Sequence, residues 1–321
     1  MKCLITGING FAASHLADHL LELGHEVYGT VRIRPNTSNI DHLKEKIKLR
    51  IMDLHDPYAV DAVIHEIKPD AVFHLAAQSF VGISWQSPME TFETNILGTV
   101  HILEAVKSHC RNAKVHIASS SQVYGSIPFA EQPMGLRTRF NPMNPYDSSK
   151  LSQDMIALQY YNSYKLNIIR TRAFNISGPR RGQSFAESSW AKQIAQFEKT
   201  IIGEGNFHYI KHGNLESFRD YIDVRDVVKA YAKACFFGEA GQVYILGSGL
   251  PVKMSKVLDT LIEKSTQSER IKKIEDPERL RPSDTPYMEA GDSYLKNFLN
   301  SDLIPFEKTM EDLLNYWRER I

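Results

Sequence analysis

The feature that most constrains this chain is the alternation in its first half. Short apolar runs take turns with stretches of helical periodicity. Lys2–Thr6, Val27–Val31, Ile47–Met52, Ala71–Ala76, Val115–Ser119 and Asn167–Arg172 read as strands. Between them, His15–Leu23 and Tyr58–Ile67 read as helices, and Phe92, Ile96, Val100, Leu103 and Val106 fall on one helical face. Gly24 and Lys68-Pro69-Asp70 punctuate the pattern. Such a rhythm buries both faces of its strands only as a parallel sheet with helices on either side. Right-handed crossovers make that sheet doubly wound, so the expected class is α/β.

After Phe174 the pattern loosens, with Gly, Pro and Arg clustered over Gly178–Gly182. The expected division is the doubly wound domain over 1–174 and a smaller lobe over 175–321. Segments near 214–247, notably Phe218–Ala234 and Gln242–Leu246, are expected to return to the sheet. The 321 residues suit one large α/β domain and a lobe. Lys+Arg and Asp+Glu are both 38. A zero net charge argues against a nucleic-acid partner, which needs a positive excess on one face. No apolar run approaches the ~18 residues of a membrane span. The opening MKCLITG has no basic segment followed by an apolar one, so a cytoplasmic location is expected. Three distant cysteines form no disulfide framework and no metal is expected.

The first strand runs into Thr6-Gly7-Ile8-Asn9-Gly10-Phe11-Ala12-Ala13, a G-x-x-G-x-x-A pattern. Gly7 permits a tight turn, Gly10 lets the backbone approach a pyrophosphate, and Ala13 allows close helix packing. The second strand ends Thr30-Val31-Arg32-Ile33-Arg34, without the acid that holds a ribose 2′-hydroxyl. Arg32 and Arg34 suit a 2′-phosphate, so NADP(H) is the expected cofactor; a bland reading leaves both as surface arginines. Asp53 follows the third strand, where an acid can meet the adenine amino group or cap the next helix.

Tyr146 and Lys150 lie four apart in Asn-Pro-Tyr-Asp-Ser-Ser-Lys. On a helix they share a face. An ammonium there stabilises a phenolate and suits Tyr146 to proton transfer at a sugar oxygen. Ser119-Ser120-Ser121 ends a predicted strand at the carboxyl edge of the sheet, where open α/β sheets hold ligands.

With these motifs in hand, the chain resembles the extended short-chain dehydrogenase/reductase family. Within its nucleotide-sugar branch it is similar to the GDP-mannose 4,6-dehydratase and GDP-4-keto-6-deoxy-mannose reductase group. The likeness covers nearly the whole chain. It rests on TGINGFAAS, VYGTVRIRPNTSNIDHL, HLAAQSFVGISW, ETNILGTVHILEAV, SSSQVYG, YDSSK, RTRAFNISGPRRGQSF, GNLESFRDYIDVRDVVKAY and RPSDTPYMEAGDS. The resemblance implies a Rossmann-type sheet and a Ser120–Tyr146–Lys150 triad. It implies a cofactor site of Gly7, Asn9, Gly10, Phe11, Arg32, Asp53, Leu54, Leu75, Ala76, Ala77 and Gln78 with Tyr146 and Lys150. Asn175, Lys192, Arg219 and Arg281 match positions that hold the substrate's diphosphate, and Ser79 and Ser121 are further candidate substrate contacts. Dimers through two helices per subunit are also implied, with Glu90–Ser108 and Tyr146–Tyr164 as candidates. The loop Arg34–Asp41 resembles one that bridges subunits in tetrameric dehydratases.

One position departs from the pattern. Related dehydratases carry a Glu just after the Ser/Thr, and reductases of the group often keep an acid there too. This chain has Ser121-Gln122. An amide does not titrate, so elimination of water loses its acid/base, worth ~10²–10⁴ in rate. The expectation is therefore an NADP(H)-dependent reductase or dehydrogenase acting at C4 of a nucleotide-diphosphate sugar, with Gln122 orienting the sugar. A 4,6-dehydratase with an atypical acid/base, a 4-epimerase and a non-catalytic nucleotide-sugar-binding relative remain as alternatives.

Overall fold

The computed structural model describes residues 1–200, 203, 205–280, 285–291 and 294–321. The chain divides into two compact units, one of residues 1–125, 136–173 and 227–246, the other of 126–135, 174–226 and 247–321. The boundary near 174 is where the strand–helix rhythm loosens. Residues 126–135 count with the second unit, and the segment that returns to the first is 227–246 rather than 214–247.

The first unit is built on seven parallel strands. In chain order its elements are β1 (Lys2–Thr6), α1 (Phe11–Glu22), β2 (Glu26–Val31), β3 (Ile47–Ile51), α2 (Pro57–Ile67), β4 (Ala71–His74), α3 (Val81–Gln86), α4 (Pro88–Phe92), a π-helical turn at Glu93–Leu97, α5 (Gly98–His109), β5 (Lys114–Ala118), α6 (Pro145–Tyr164) and β6 (Asn167–Ala173). The strand order is β3-β2-β1-β4-β5-β6, with one late strand, Val243–Leu246, added beside β6. The order reverses between β1 and β4, and ligands of such sheets sit at the carboxyl ends of the strands there. Leu4, Val72, Val115, Ile117 and Ile168 are buried among Val60, Ile64, Ile102, Leu103 and Val106 of the covering helices. Burial on both faces explains why these strands read as continuous apolar runs rather than alternating ones.

Two helix starts show local chemistry at work. Asp56 caps α2 by accepting from the Tyr58 and Ala59 backbone N–H groups, and Pro57 follows at the first helical position. Asn144 caps α6 through the Asp147 N–H, with Pro145 next. By contrast α1 begins at Phe11, four residues before the expected His15, because the glycine turn leads straight into the helix. The expected apolar face of 92–106 is also corrected. The π-helical turn inserts one residue, and the buried face becomes Thr91, Asn95 and Thr99 followed by Ile102, Leu103 and Val106. Phe92, Ile96 and Val100 are only partly covered.

The second unit contains β7 (Asn175–Ser177), α7 (Ala186–Lys199), β8 (His208–His212), β9 (Phe218–Asp223) and the start of α8 (Val224–Phe237), whose remainder leads back to β10 (Val243–Leu246). It continues with β11 (Pro251–Lys253), α9 (Met254–Glu263), β12 (Ile271–Glu275), β13 (Tyr287–Met288), α10 (Tyr294–Leu299) and α11 (Phe306–Arg318). β9 pairs antiparallel with β11 and parallel with β7 and β13, while β8 pairs with β12. Trp190, Ile194, Val257, Leu261, Leu313 and Leu314 form its own core. Of the segments expected to return to the large sheet, β10 does so and β9 does not, because its edges are taken by strands of the second unit.

Candidate active site

At the switch point the backbone of β1 turns through Gly7, whose φ is 65°. A Cβ on Gly7 would lie 3.1 Å from the Cα and Cβ of Ala76, two residues past β4. A Cβ on Gly10 would lie 3.1 Å from the Gly7 carbonyl oxygen. The left-handed φ favours glycine at position 7, a Cβ at either glycine would crowd its neighbour, and Ala13 packs buried in the next turn. No side chain caps α1. A helix start beside a bare-backbone turn fits the pyrophosphate of a dinucleotide.

The loop after β2 is hitched to this turn. Asn9 Nδ2 donates to the Asn36 carbonyl at 2.9 Å, and Asn39 Nδ2 donates to the Asn9 carbonyl at 3.1 Å. The Asn9 side chain is thus committed to the loop. Arg32 and Arg34 are exposed, and neither forms an ion pair among the described residues. Uncommitted guanidiniums fit a 2′-phosphate better than a surface ion pair does. Asp53 does not cap α2, which is capped by Asp56. It accepts instead from the His55 N–H at 3.0 Å and stays exposed. Leu54 is buried and would meet a Cβ at Gly98 at 2.9 Å.

Lys150 is 5% exposed. Its Nζ donates to the Ala118 carbonyl and to Gln153 Oε1, each at 2.8 Å. The first bond ties α6 to the end of β5, two residues before Ser120. Tyr146 stands one turn earlier on α6 and is half-buried. Ser120 Oγ accepts from the Gln122 N–H at 3.1 Å, which leaves its hydroxyl hydrogen able to donate elsewhere. Ser121 is buried, and Gln122 is half-buried in the short turn that follows. Burial lowers the Lys150 pKa to about 8, against the charge of Asp154, which raises it. Asp154 is itself buried. Burial pushes its carboxyl upward, but hydrogen bonds and charge from Arg172, with Arg170, hold it below the ordinary value.

A polar line that no sequence motif marks runs behind Lys150. Gln153 Nε2 donates to Thr99 Oγ1 at 2.7 Å, and Thr99 Oγ1 donates to the Asn95 carbonyl at 2.7 Å. His74 Nε2 meets the same hydroxyl at 3.1 Å, and His74 Nδ1 meets Thr6 Oγ1 at 2.9 Å. Thr6 Oγ1 accepts from the Leu75 and Ala76 N–H groups. Asn95 clamps the loop that follows, accepting from the Gln78 N–H and donating to the Gln78 carbonyl and to Ser149 Oγ. The Gln78 side chain is used within the loop, donating to Thr91 and accepting from the Phe80 N–H. Leu75, Ala76, Ala77 and Gln78 are half-buried, and Ser79 is exposed. The available signal was polar residues recurring where helical spacing calls for apolar ones.

In the second unit, Asn175 opens β7 opposite Tyr221 of β9. Arg219 is buried, with Nη1 donating to the Phe218 and Thr285 carbonyls. Lys192 bonds Gln183 Oε1 and lies over the Trp317 ring at 5.3 Å. Arg281 lies outside the described residues. Among the described residues no cluster of three His, Cys, Asp or Glu side chains could hold a metal.

A parallel sheet in this order, with a glycine turn at its switch point and a Tyr–Lys pair one helical turn apart, is the architecture of the short-chain dehydrogenase/reductases. More narrowly, the chain belongs to the GDP-mannose 4,6 dehydratase family, whose sequence model matches residues 4–304. It is 27% identical over 321 residues to the GDP-6-deoxy-D-mannose reductase of Pseudomonas aeruginosa, covering 100% of this chain and 98% of that protein. To the GDP-mannose 4,6-dehydratase of Vibrio cholerae it is 35% identical over 237 residues, covering 70% of this chain but 62% of that protein. Among solved structures, RMD from Pseudomonas aeruginosa complexed with NADPH superposes with a TM-score of 0.82 at 26% identity, over 100% of this chain and 99% of that one. The UDP-glucose 4-epimerase of Thermus thermophilus in complex with NAD gives 0.85 at 25% identity, over 100% of both chains.

Proposed function

We propose that this protein is an NADP(H)-dependent reductase acting on C4 of a GDP-linked 4-keto-6-deoxy sugar. One observation carries the choice within the family. Ser120, Tyr146 and Lys150 are all present, while the place of the dehydratase acid is taken by the amide of Gln122. The near full-length match to the GDP-6-deoxy-D-mannose reductase supports the same choice.

Gly7, Gly10 and the start of α1 would hold the pyrophosphate, Arg32 the 2′-phosphate, and Asp53 with Leu54 the adenine. The backbone of Leu75–Gln78 would line the cofactor. When bound, NADPH supplies the hydride that C4 receives. Tyr146 gives its phenolic proton to the C4 oxygen as the carbonyl becomes an alcohol. Ser120 donates to that oxygen and holds it in place. The Lys150 ammonium stabilises the phenolate that Tyr146 becomes. Gln122, Ser79 and Ser121 orient the sugar by hydrogen bonds, and Asn175, Lys192, Arg219 and Arg281 are proposed contacts to the diphosphate. Arginine forks suit that group.

The same reading takes the protein as a cytoplasmic homodimer joined through helices within 90–108 and 146–164. Exposed Met89 and Leu97 beside them support the interface, and free Cys3, Cys110 and Cys235 fit a reducing compartment. Among the described residues no helix is long and apolar enough to cross a membrane. Bridging through 34–41 would extend the dimer to a tetramer, and sedimentation separates the two.

The test is to incubate the protein with GDP-4-keto-6-deoxy-D-mannose and NADPH. The expected result is one NADPH oxidised per sugar reduced, with a product two hydrogens heavier. Conversion of GDP-mannose to a product lighter by one water, with no net cofactor change, makes it a dehydratase instead. Sugar-nucleotide binding with neither reaction makes it a non-catalytic relative.

A further inference from the structure

The polar line behind Lys150 closes without a loose end. Thr99 Oγ1 has one proton, which goes to the Asn95 carbonyl. Its two lone pairs therefore accept, one from Gln153 Nε2 and one from His74 Nε2–H. Thr6 Oγ1 already accepts two backbone N–H groups, so its proton goes to His74 Nδ1. His74 is thereby fixed as the neutral Nε2–H tautomer. The Gln153 amide cannot flip, because that would aim its NH₂ at an ammonium and its oxygen at a hydroxyl with no proton to give.

We propose that Gln153 is a positioning residue for proton transfer: its amide, locked by Thr99 and His74, holds Lys150 Nζ in one orientation while leaving that ammonium without a carboxylate in direct contact. The proposal rests on the reductase reading above. Two of the three Nζ donors go to Ala118 and Gln153, so one direction remains for cofactor and phenol. A Glu of the same size at 153 would form a direct ion pair and hold the proton on Lys150. The neutral amide satisfies geometry without doing so, in keeping with a Lys150 pKa of about 8. The other groups facing Lys150 are accounted for. On α6 these are Tyr146 and Asp154, the latter occupied by Arg170 and Arg172 of β6. On β4 and β5 they are His74 and His116, each lowered to about 3 by burial first and so uncharged near neutrality. Tyr231 of α8, whose pKa burial raises, interacts with Tyr146 and bonds Thr171 rather than Lys150.

The experiment follows the Lys150 side chain directly by NMR in protein labelled with ¹³C-lysine, assigned by the signal missing in Lys150→Met. In the native protein Lys150 is expected to titrate near 8, and a value at the ordinary ~10.4 overturns the proposal whatever the variants do. Gln153→Glu should raise that pKa by at least about one unit, and Gln153→Leu should lower it. The pH profile of NADPH oxidation should move with each, while the KM for the sugar nucleotide stays within about twofold. Shifts of the same sign in both variants, or rates that fall with no movement of the profile, reduce Gln153 to a packing role and overturn the proposal. Absence of turnover in the native protein defeats the reductase reading alone, because the lysine titration needs no substrate.

Discussion

Lys150 in the first unit and Asp220 in the second are buried charges answered by neutral groups, and the two differ in what is left over. Lys150 in the first unit is held by one carbonyl and one amide oxygen, with a third donor to spare. Asp220 in the second is 0% exposed and accepts four bonds, from Ser248 N–H and Oγ, Gly249 N–H and Ala290 N–H. Burial drives both toward neutrality, lowering Lys150 and raising Asp220. Asp220 has both oxygens doubly engaged, so it pins residues 248–249 and Ala290 together. A buried charge with a direction left open is poised to act, and one without is a fastener.

The comparison can be broken most decisively at the phenol that Lys150 serves. Tyr146→Phe should cut turnover by ~10²–10⁴ while cofactor binding, read by nicotinamide fluorescence, is retained. Asp220→Ala should instead leave four donors unanswered and lower stability by about 3 kcal/mol or more in denaturant melts. A third measurement uses pH. Between about 8 and 10.5 the unfolded chain holds the lysine proton and the folded chain has released it. Stability due to Lys150 therefore rises with pH across that window, by up to about 3 kcal/mol. The rise should vanish in Lys150→Met. Asp220 has the opposite sign. Its raised pKa means the folded state keeps a proton that the unfolded state has lost, so its contribution falls as pH rises above the ordinary carboxylate value. The smallest effect is expected from Ser248→Ala, which removes one of the four bonds and should cost about 1 kcal/mol.

The strands of the first unit were legible because burial on both faces writes them as apolar runs, and each of the expected strands begins within one residue of the observed start. The glycine turn was legible because Gly7 takes a left-handed φ and a Cβ at Gly7 or Gly10 would crowd its neighbour at 3.1 Å. Asp-Pro at 56–57 marked the start of α2 more firmly than Asp53 did, since proline suits the first helical position. What the sequence concealed is the inward polar set of Thr6, His74, Asn95, Thr99 and Gln153. Thr6 and His74 sit in strands that read as apolar runs, and Asn95, Thr99 and Gln153 read as ordinary polar positions of helices. Only the fold brings them within hydrogen-bond reach across 68, 25 and 54 positions. The second unit was harder for another reason. Its strands β7 and β11 are three residues long and β13 only two, too short for alternation to register.

The extra residue at Glu93–Leu97 carries a consequence for how this site can be altered. Deleting one residue there would restore an ordinary 3.6-residue repeat and rotate everything on its N-terminal side by about 100°. The hydrocarbon contacts of Ile102, Leu103 and Val106 would survive, but Thr91 would swing off the loop at Gln78 and the hold on Ser149 would be disturbed. Helix length is thus a second way to an intact but idle molecule, beside removal of the Tyr146 hydroxyl.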